Sequence, residues 1–498
     1  MMANLAAAIQ LLSSPYLIFI MVITAVYGLF VGLVPGLTAT MATALFVPFT
    51  FFMDPLPALA GVIVLSAMAI FAGDIPATLV RVPGTPSSSA YVEDAYQLCS
   101  RGMAVKALAL CACCSATGGI IGALSLMLIA PTLAQFATRF TSFEYFWLAI
   151  LGLSTTVTVS KGSTVKSCIA LLLGLFFSTI GIDITLGIPR FTFGSSELLG
   201  GVNFIPAMVG LFGVSEVIRT TEESVSFTAQ KLSFGFFEML KSAWTAMKNR
   251  LGILLRSAVL GMVIGALPGA GGDIAAWISY GVGKLSSKHP EEYGKGSEEA
   301  VLTGTSANNA ALGGAWIPAL VFGIPGDSIT AILLGILMMK GLRPGPLIFE
   351  RQGDLVYAIY LVFIIANVLL IPLGYLAARS GMQMLKVPKG ILMPAILLFC
   401  CVGSYAINNS LFDVGVMLVM GLLGYFFEKS DVPVAPIVLG LILGPMVERN
   451  FMMSVIKTGG SLSQFVTRPI SAVLVICVAC AWTIPLWSAR RRRKSVAS

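Results

Sequence analysis

Among the long stretches of this 498-residue chain that hold no Asp, Glu, Lys or Arg are 107–138, 300–326, 355–378, 390–412 and 469–489. A bilayer core about 30 Å thick is crossed by roughly 20 apolar residues, each rising about 1.5 Å. The last three stretches fit that length almost without trimming. The first two are longer and contain Gly and Pro, with Asn in the second, so they are expected to be more than plain spans. Only 11% of the residues are charged and 57% are hydrophobic, where a soluble chain carries about a quarter charged. That supply cannot cover the roughly three soluble domains this length would otherwise imply. The expected fold class is therefore an all-α polytopic membrane protein of about 10–14 membrane segments, some of them broken or re-entrant.

The net charge of +8 fits the same setting. Nucleic-acid binding needs Lys and Arg gathered on a polar domain, and no such domain is present, so no nucleic-acid partner is expected. The densest basic cluster, Arg490 to Lys494, follows directly on the apolar run 469–489. By the positive-inside rule it places the C-terminus of a multi-pass membrane protein in the cytoplasm. The first basic residue is Arg81, so the N-terminal segment is read as no cleavable signal. The nine cysteines lie in or beside apolar segments, and the Cys477/Cys480 pair is read as packing within a membrane helix. His289 is the only histidine, which excludes histidine-centred catalysis and multi-histidine metal sites. No cofactor is expected.

Two apolar halves are separated by one polar stretch. Residues 1–215 form the first half, and 216–250 a mixed-charge connector. Residues 251–460 form the second half, and 461–498 a final membrane helix with its basic tail. In the connector, Phe236, Leu240, Trp244 and Met247 recur every three to four residues, predicting a helix that lies with one oily face on the membrane. The halves also echo each other. Gly-Leu-Val-Pro-Gly at 32–36 returns as Gly-Ala-Leu-Pro-Gly at 265–269. Ile75-Pro76-Ala77 returns as Ile317-Pro318-Ala319, and Val82-Pro83-Gly84 as Ile324-Pro325-Gly326. The ordered set predicts a two-fold internal repeat, expected to be inverted. Gly/Pro-broken apolar segments at matching places in two halves are the sequence mark of a secondary transporter's binding site.

Proline removes a backbone donor and glycine admits positive φ, so a Pro-Gly pair ends one half-helix and can start another. The freed backbone groups cannot stand bare in lipid and must line protein or a wet cavity. The N-terminus of the next half-helix offers free amides and about half a positive charge, which suits a carboxylate. The candidate substrate-binding residues are therefore Pro35, Gly36, Thr38 and Thr40; Pro83, Gly84, Thr85 and Ser87; Pro268 and Gly269; and Pro325, Gly326, Ser328 and Thr330. Asn308 and Asn309, which interrupt the apolar run 300–326, join them. Asp74, Asp273 and Asp327 lie near the broken points and are the candidates for ion coupling, because a charge placed at mid-bilayer usually faces a cavity or a partner. A sodium site at the Pro-Gly loops is one option; proton exchange is the other.

With these segments assembled, the chain resembles the large membrane subunit of the tripartite tricarboxylate transporters, the TctA-type permeases. The resemblance rests on GLVPGLTAT at 32–40, VPGTPSSSAYVEDAYQLCSRG at 82–102, FEYFWLAILGLS at 143–154 and GALPGAGGDIAAW at 265–277. The long stretch 306–349, which starts SANNAALGG, and LGPMVE at 443–448 complete it. It implies a carboxylate permease driven by a sodium or proton gradient, with a small membrane subunit and a periplasmic substrate-binding protein as partners. It also favours an elevator-like slide for alternating access.

Two other classes stay open at the level of sequence. Gly-Asp occurs at 73–74, 272–273 and 326–327, which allows an intramembrane aspartyl protease, although the usual Gly-x-Gly-Asp is broken by Ala270. The membrane subunit of an ATP-driven importer is the other; the chain has no P-loop of its own.

Overall fold

The computed structural model describes residues 2–34, 37–160, 163–183, 187–222, 234–384 and 389–496. Pro35, Gly36 and the connector residues 223–233 lie outside the described residues, as do the side chains of the basic tail from Arg490 to Lys494. The fold is helical almost throughout. The first half opens with α1 (Met2–Leu12), α2 (Pro15–Leu33), α3 (Ala39–Thr50), α4 (Pro55–Ala72) and α5 (Asp74–Val80). An irregular loop then leads to α6 (Val92–Leu98), α7 (Ala104–Ala137), α8 (Ser142–Val159) and α9 (Thr164–Ser178). A small antiparallel hairpin pairs Gly181 with Arg190, and α10 (Phe204–Met208) and α11 (Ser215–Glu222) end this half.

The second half runs through α12 (Phe236–Met247), α13 (Leu251–Gly265), α14 (Gly271–Ser286), α15 (Glu298–Phe322), α16 (Ser328–Met339) and α17 (Pro346–Arg351). The long helices α18 (Gly353–Met384), α19 (Lys389–Asn408), α20 (Leu411–Lys429) and α21 (Ala435–Lys457) follow, then α22 (Gln464–Thr467) and α23 (Pro469–Val496). Among the described residues, 7 helical stretches are long and apolar enough to cross a bilayer. Shorter apolar helices accompany them, among them α3, α9, α13 and α16.

The centre of the molecule is α15. Every residue from Ala300 to Val321 is buried, yet the helix is rich in Gly, Ala, Ser, Thr and Asn. Small residues let neighbouring backbones approach where lipid offers no hydrophobic drive between helices. Accordingly Gly118 and Gly122 of α7 lie on the backbone of Ser306 and Ala310, and Gly261 and Gly265 of α13 lie on that of Ala307 and Ala311. The first half contains the same pattern: Gly28 and Gly32 of α2 rest on the backbone of Leu65 and Ala69 in α4. These pairs stand at the positions that the Pro-Gly echoes bring into register.

The connector residues Phe236–Met247 are helical; of the expected stripe Met247 is buried, Phe236 and Leu240 pack against the core, and Trp244 faces outward. In α12 the buried stripe is Met239, Ala243, Ala246 and Met247. Trp244 is 61% and Phe237 82% exposed, while Phe236 packs edge-on against Tyr375 at 5.5 Å. Two alanines give α12 a slim side that fits against α7, so the bulky aromatic ring of Trp244 is left outward.

Candidate functional site

The four broken loops are shaped by local hydrogen bonding. Thr38 is the N-cap of α3, its hydroxyl accepting from Met41 N at 3.1 Å. In the second loop, Thr85 N donates to Ser88 Oγ and Ser88 N donates back to Thr85 Oγ1, both at 3.2 Å. In the fourth, Asp327 N donates to Thr330 Oγ1 at 3.0 Å while Thr330 N donates to Asp327 Oδ1 at 2.8 Å. Both are reciprocal caps with a three-residue step, which satisfy backbone donors that lipid would leave bare.

The loops also lock onto neighbouring backbone. Gly84 N donates to Gly73 O at 3.1 Å, and Gly84 sits with no room for a Cβ between Gly73 and Gly32. Gly326 is wedged in the same way between Gly265 and Ala315. Gly269 N donates to Gly326 O at 2.8 Å and joins the third loop to the fourth. Gly269 holds a φ of +80° with its α-carbon against Thr156, a conformation and a closeness that only glycine tolerates.

These loops open onto one cavity of about 720 Å³. Its wall includes the first turns of three helices: Thr38, Ala39 and Thr40 of α3; Gly271, Gly272 and Asp273 of α14; and Asp327, Ser328 and Ile329 of α16. Thr85, Ser87, Gly269 and Asn308 complete that side. Three helix N-termini facing one space create a setting for anions, with backbone N–H groups as donors. Two of the three carry a carboxylate at or near the cap, so an anion bound there has negative neighbours that a cation or proton would offset.

Of the residues picked from sequence, Thr38, Thr40, Thr85, Ser87, Gly269, Asn308, Ser328, Asp273 and Asp327 line this cavity. Pro83, Gly84, Pro268, Pro325 and Gly326 shape the loops without lining it. Thr330 is buried and its hydroxyl donates to Asp327, so it orients that cap. Asn309 points away: its Nδ2 donates to Ser115 O at 3.1 Å and to Asn367 Oδ1 at 2.8 Å, between α7 and α18. Asp74 is buried outside the cavity wall, where Tyr91 donates to it. Asn308 is 2% exposed, and its side-chain amide lies against the Tyr91 hydroxyl.

The opposite wall was not anticipated. It is made by Glu216 and Arg219 of α11 and by Tyr425, Glu428 and Lys429 at the end of α20, followed by Asp431 to Ala435. Arg219 is paired with Glu216, and Lys429 donates to the Tyr425 hydroxyl at 2.8 Å. The legible signal was the Glu428-Lys429 pair closing the uncharged run 414–427, just before Pro433 and Pro436. Among the described residues no cluster of three His, Cys, Asp or Glu side chains is placed to hold a metal ion.

Comparison with known proteins agrees over the whole length. The sequence profile of the Tripartite tricarboxylate transporter TctA family matches residues 18–439. The "Uncharacterized 52.8 kDa protein in TAR-I ttuC' 3'region" of Agrobacterium vitis is 34% identical over 503 aligned residues, covering 100% of this chain and 98% of that protein. The "Uncharacterized protein in TAR-II ttuC' 3'region" of the same organism is 38% identical over 237 residues, 47% of this chain and 98% of the relative. No solved structure matches.

Proposed function

The chain belongs to the tripartite tricarboxylate transporter TctA family, and from that membership we propose that it is the permease subunit of an ion-gradient-driven secondary transporter. It imports tricarboxylates or related carboxylates across the bacterial inner membrane, with its C-terminus in the cytoplasm. A periplasmic binding protein delivers the substrate, and a small membrane subunit completes the complex. The observation that carries the reading is the convergence of three helix N-termini and the Thr85–Ser87 loop on one cavity. Such a wall recognises carboxylates through backbone amides and short hydroxyls.

Coupling follows from the acids. Asp273 and Asp327 sit where a carboxylate substrate would bind, so a sodium ion or proton taken up beside them lowers the repulsion and makes binding of ion and substrate mutually favourable. We read the two halves as duplicated units related by inversion. The matched glycine contacts, the wedged Gly84 and Gly326 and the twin reciprocal caps support this. One packed unit moving against another around the cavity would give alternating access. The intramembrane protease reading loses ground, because Asp327 Oδ1 accepts from both the Thr330 amide and hydroxyl, at 2.8 and 2.7 Å.

The test is uptake of a labelled tricarboxylate into proteoliposomes holding both membrane subunits, with the loaded binding protein outside. We expect accumulation under an imposed sodium or proton gradient without ATP. Accumulation that requires ATP and ignores both gradients would overturn the reading.

A further inference from the structure

We propose that Asp74 is the carboxyl that takes up and gives back the proton coupled to carboxylate movement, with Tyr91 controlling its access to the cavity. This rests on the transport reading above and specifies its coupling chemistry. Asp74 opens α5 and is 1% exposed. Its side chain has one hydrogen-bond partner among the described residues, the Tyr91 hydroxyl, which donates to Oδ1 at 2.6 Å. Tyr91 is itself fully buried, with its ring against Gly304 of α15 and its hydroxyl beside the side-chain amide of Asn308, a cavity residue. A carboxyl, a phenol and an amide therefore lie in line from the core to the cavity wall.

Among the described residues, no cation compensates Asp74. Six elements pack on α5: α2, α4, α6, α7, α18 and the turn Ser88–Ala90. The titratable groups acting on Asp74 are Tyr91 and Cys111 of α7, whose thiol lies 3.8 Å from Thr78 Oγ1. Helix α4 has no ionisable residue. Tyr27 of α2 donates to Ala42 O, and Tyr360 of α18 packs on Tyr357. Glu93 of α6 pairs with Arg81, Asp94 accepts from Gly294, and Lys106 of α7 pairs with Glu298. A carboxylate stranded there is costly, so the dry state holds the acid. When water enters through Asn308 and Tyr91, the carboxyl O–H bond breaks and its proton leaves to that water as hydronium. Tyr91 keeps its own proton and donates to the carboxylate; reloading reverses the step.

The position also ties the proton to the substrate. Asp74 follows Gly73, whose carbonyl accepts from Gly84 N, and the next loop residues, Thr85 and Ser87, line the cavity. A change at Asp74 is thus one peptide from the loop that meets the substrate. The equivalent position in the second half is Trp316, so the acid exists once, and one proton per cycle is the expected stoichiometry.

The experiment uses the complete transporter in proteoliposomes and compares tricarboxylate exchange at equilibrium with accumulation driven by a pH gradient. Asp74→Asn should keep exchange while losing accumulation by roughly tenfold or more, and its exchange should become insensitive to pH. Tyr91→Phe should keep both activities and shift the pH profile of accumulation. Should Asp74→Asn fail to fold, the Tyr91→Phe profile decides, together with proton release or uptake on adding tricarboxylate to the purified complex, read with a pH dye. Unaltered pH-driven accumulation in Asp74→Asn, or an unshifted profile and unchanged proton signal in Tyr91→Phe, would overturn the assignment. Wild-type accumulation on a sodium gradient alone at every pH would remove the proton role and leave the transport reading standing. Wild type with no exchange at all would bring down both.

Discussion

Asn308 and Asn309 are neighbours in sequence and serve opposite sides of α15. A helical step of about 100° turns Asn308 to the cavity and Asn309 to Ser115 and Asn367. Replacing Asn308 by Ala should reduce uptake at unchanged thermal stability in detergent. Replacing Asn309 by Ala should leave Asn367 without its donor and cost about 1–2 kcal/mol, read as a lower melting temperature; the opposite pattern would reverse the two roles. Asp94 is a second case in which position decides meaning. Its buried carboxylate accepts from the amides of Gly294, Gly296 and Ser297 and from the Tyr280 hydroxyl. Asp94→Ala should therefore cost roughly 3 kcal/mol or more, seen as faster proteolysis of the 287–297 loop. The sequence could mark Asn308-Asn309 as unusual in an apolar run. It could not choose between them, because both lie on a helix buried all round and periodicity offers no outward face.

At the scale of elements, the Pro-Gly loops were the legible part. Proline and glycine act through the backbone, so their effect is local and survives without knowledge of neighbours. The facing wall from α11 and α20 was not legible, since its placement depends on packing between segments some two hundred residues apart in the chain. The connector helix shows the same limit: its 3.6-residue period was readable, the outward turn of Trp244 was not. The close helix pairs make a sharper prediction. Gly265→Val would put a branched side chain into the Ala311 backbone and displace Gly326 as well. The cost should be roughly 3 kcal/mol or more, visible as loss of monodisperse protein in gel filtration, whereas Gly252→Ala, on an open part of α13, should be silent. Equal behaviour of the two variants would refute the close-packing argument.

For the molecule as a whole, a cavity walled by loops from both halves predicts shared exposure and shared protection. In a background lacking the exposed Cys477 and Cys480, a cysteine at Thr40 and one at Ser328, both partly exposed on the cavity wall, should react with a small maleimide, and a tricarboxylate should slow both. The buried native Cys111 and Cys114 should stay unlabelled throughout. Protection of only one engineered site would mean that the loops do not serve a common ligand.

Helix α15 has a consequence for how the protein reaches its membrane. It is completely enclosed, yet it is not among the stretches apolar enough to cross a bilayer unaided. Its Thr and Ser hydroxyls return to its own carbonyls, but the Asn309 amide donates to α7 and α18, and a segment that carries such an amide has little reason to partition into oil alone during synthesis. It would have to wait at the insertion machinery until α13 and α14 could accompany it, so the order of biogenesis is written into the same small, polar residues that let the finished bundle close.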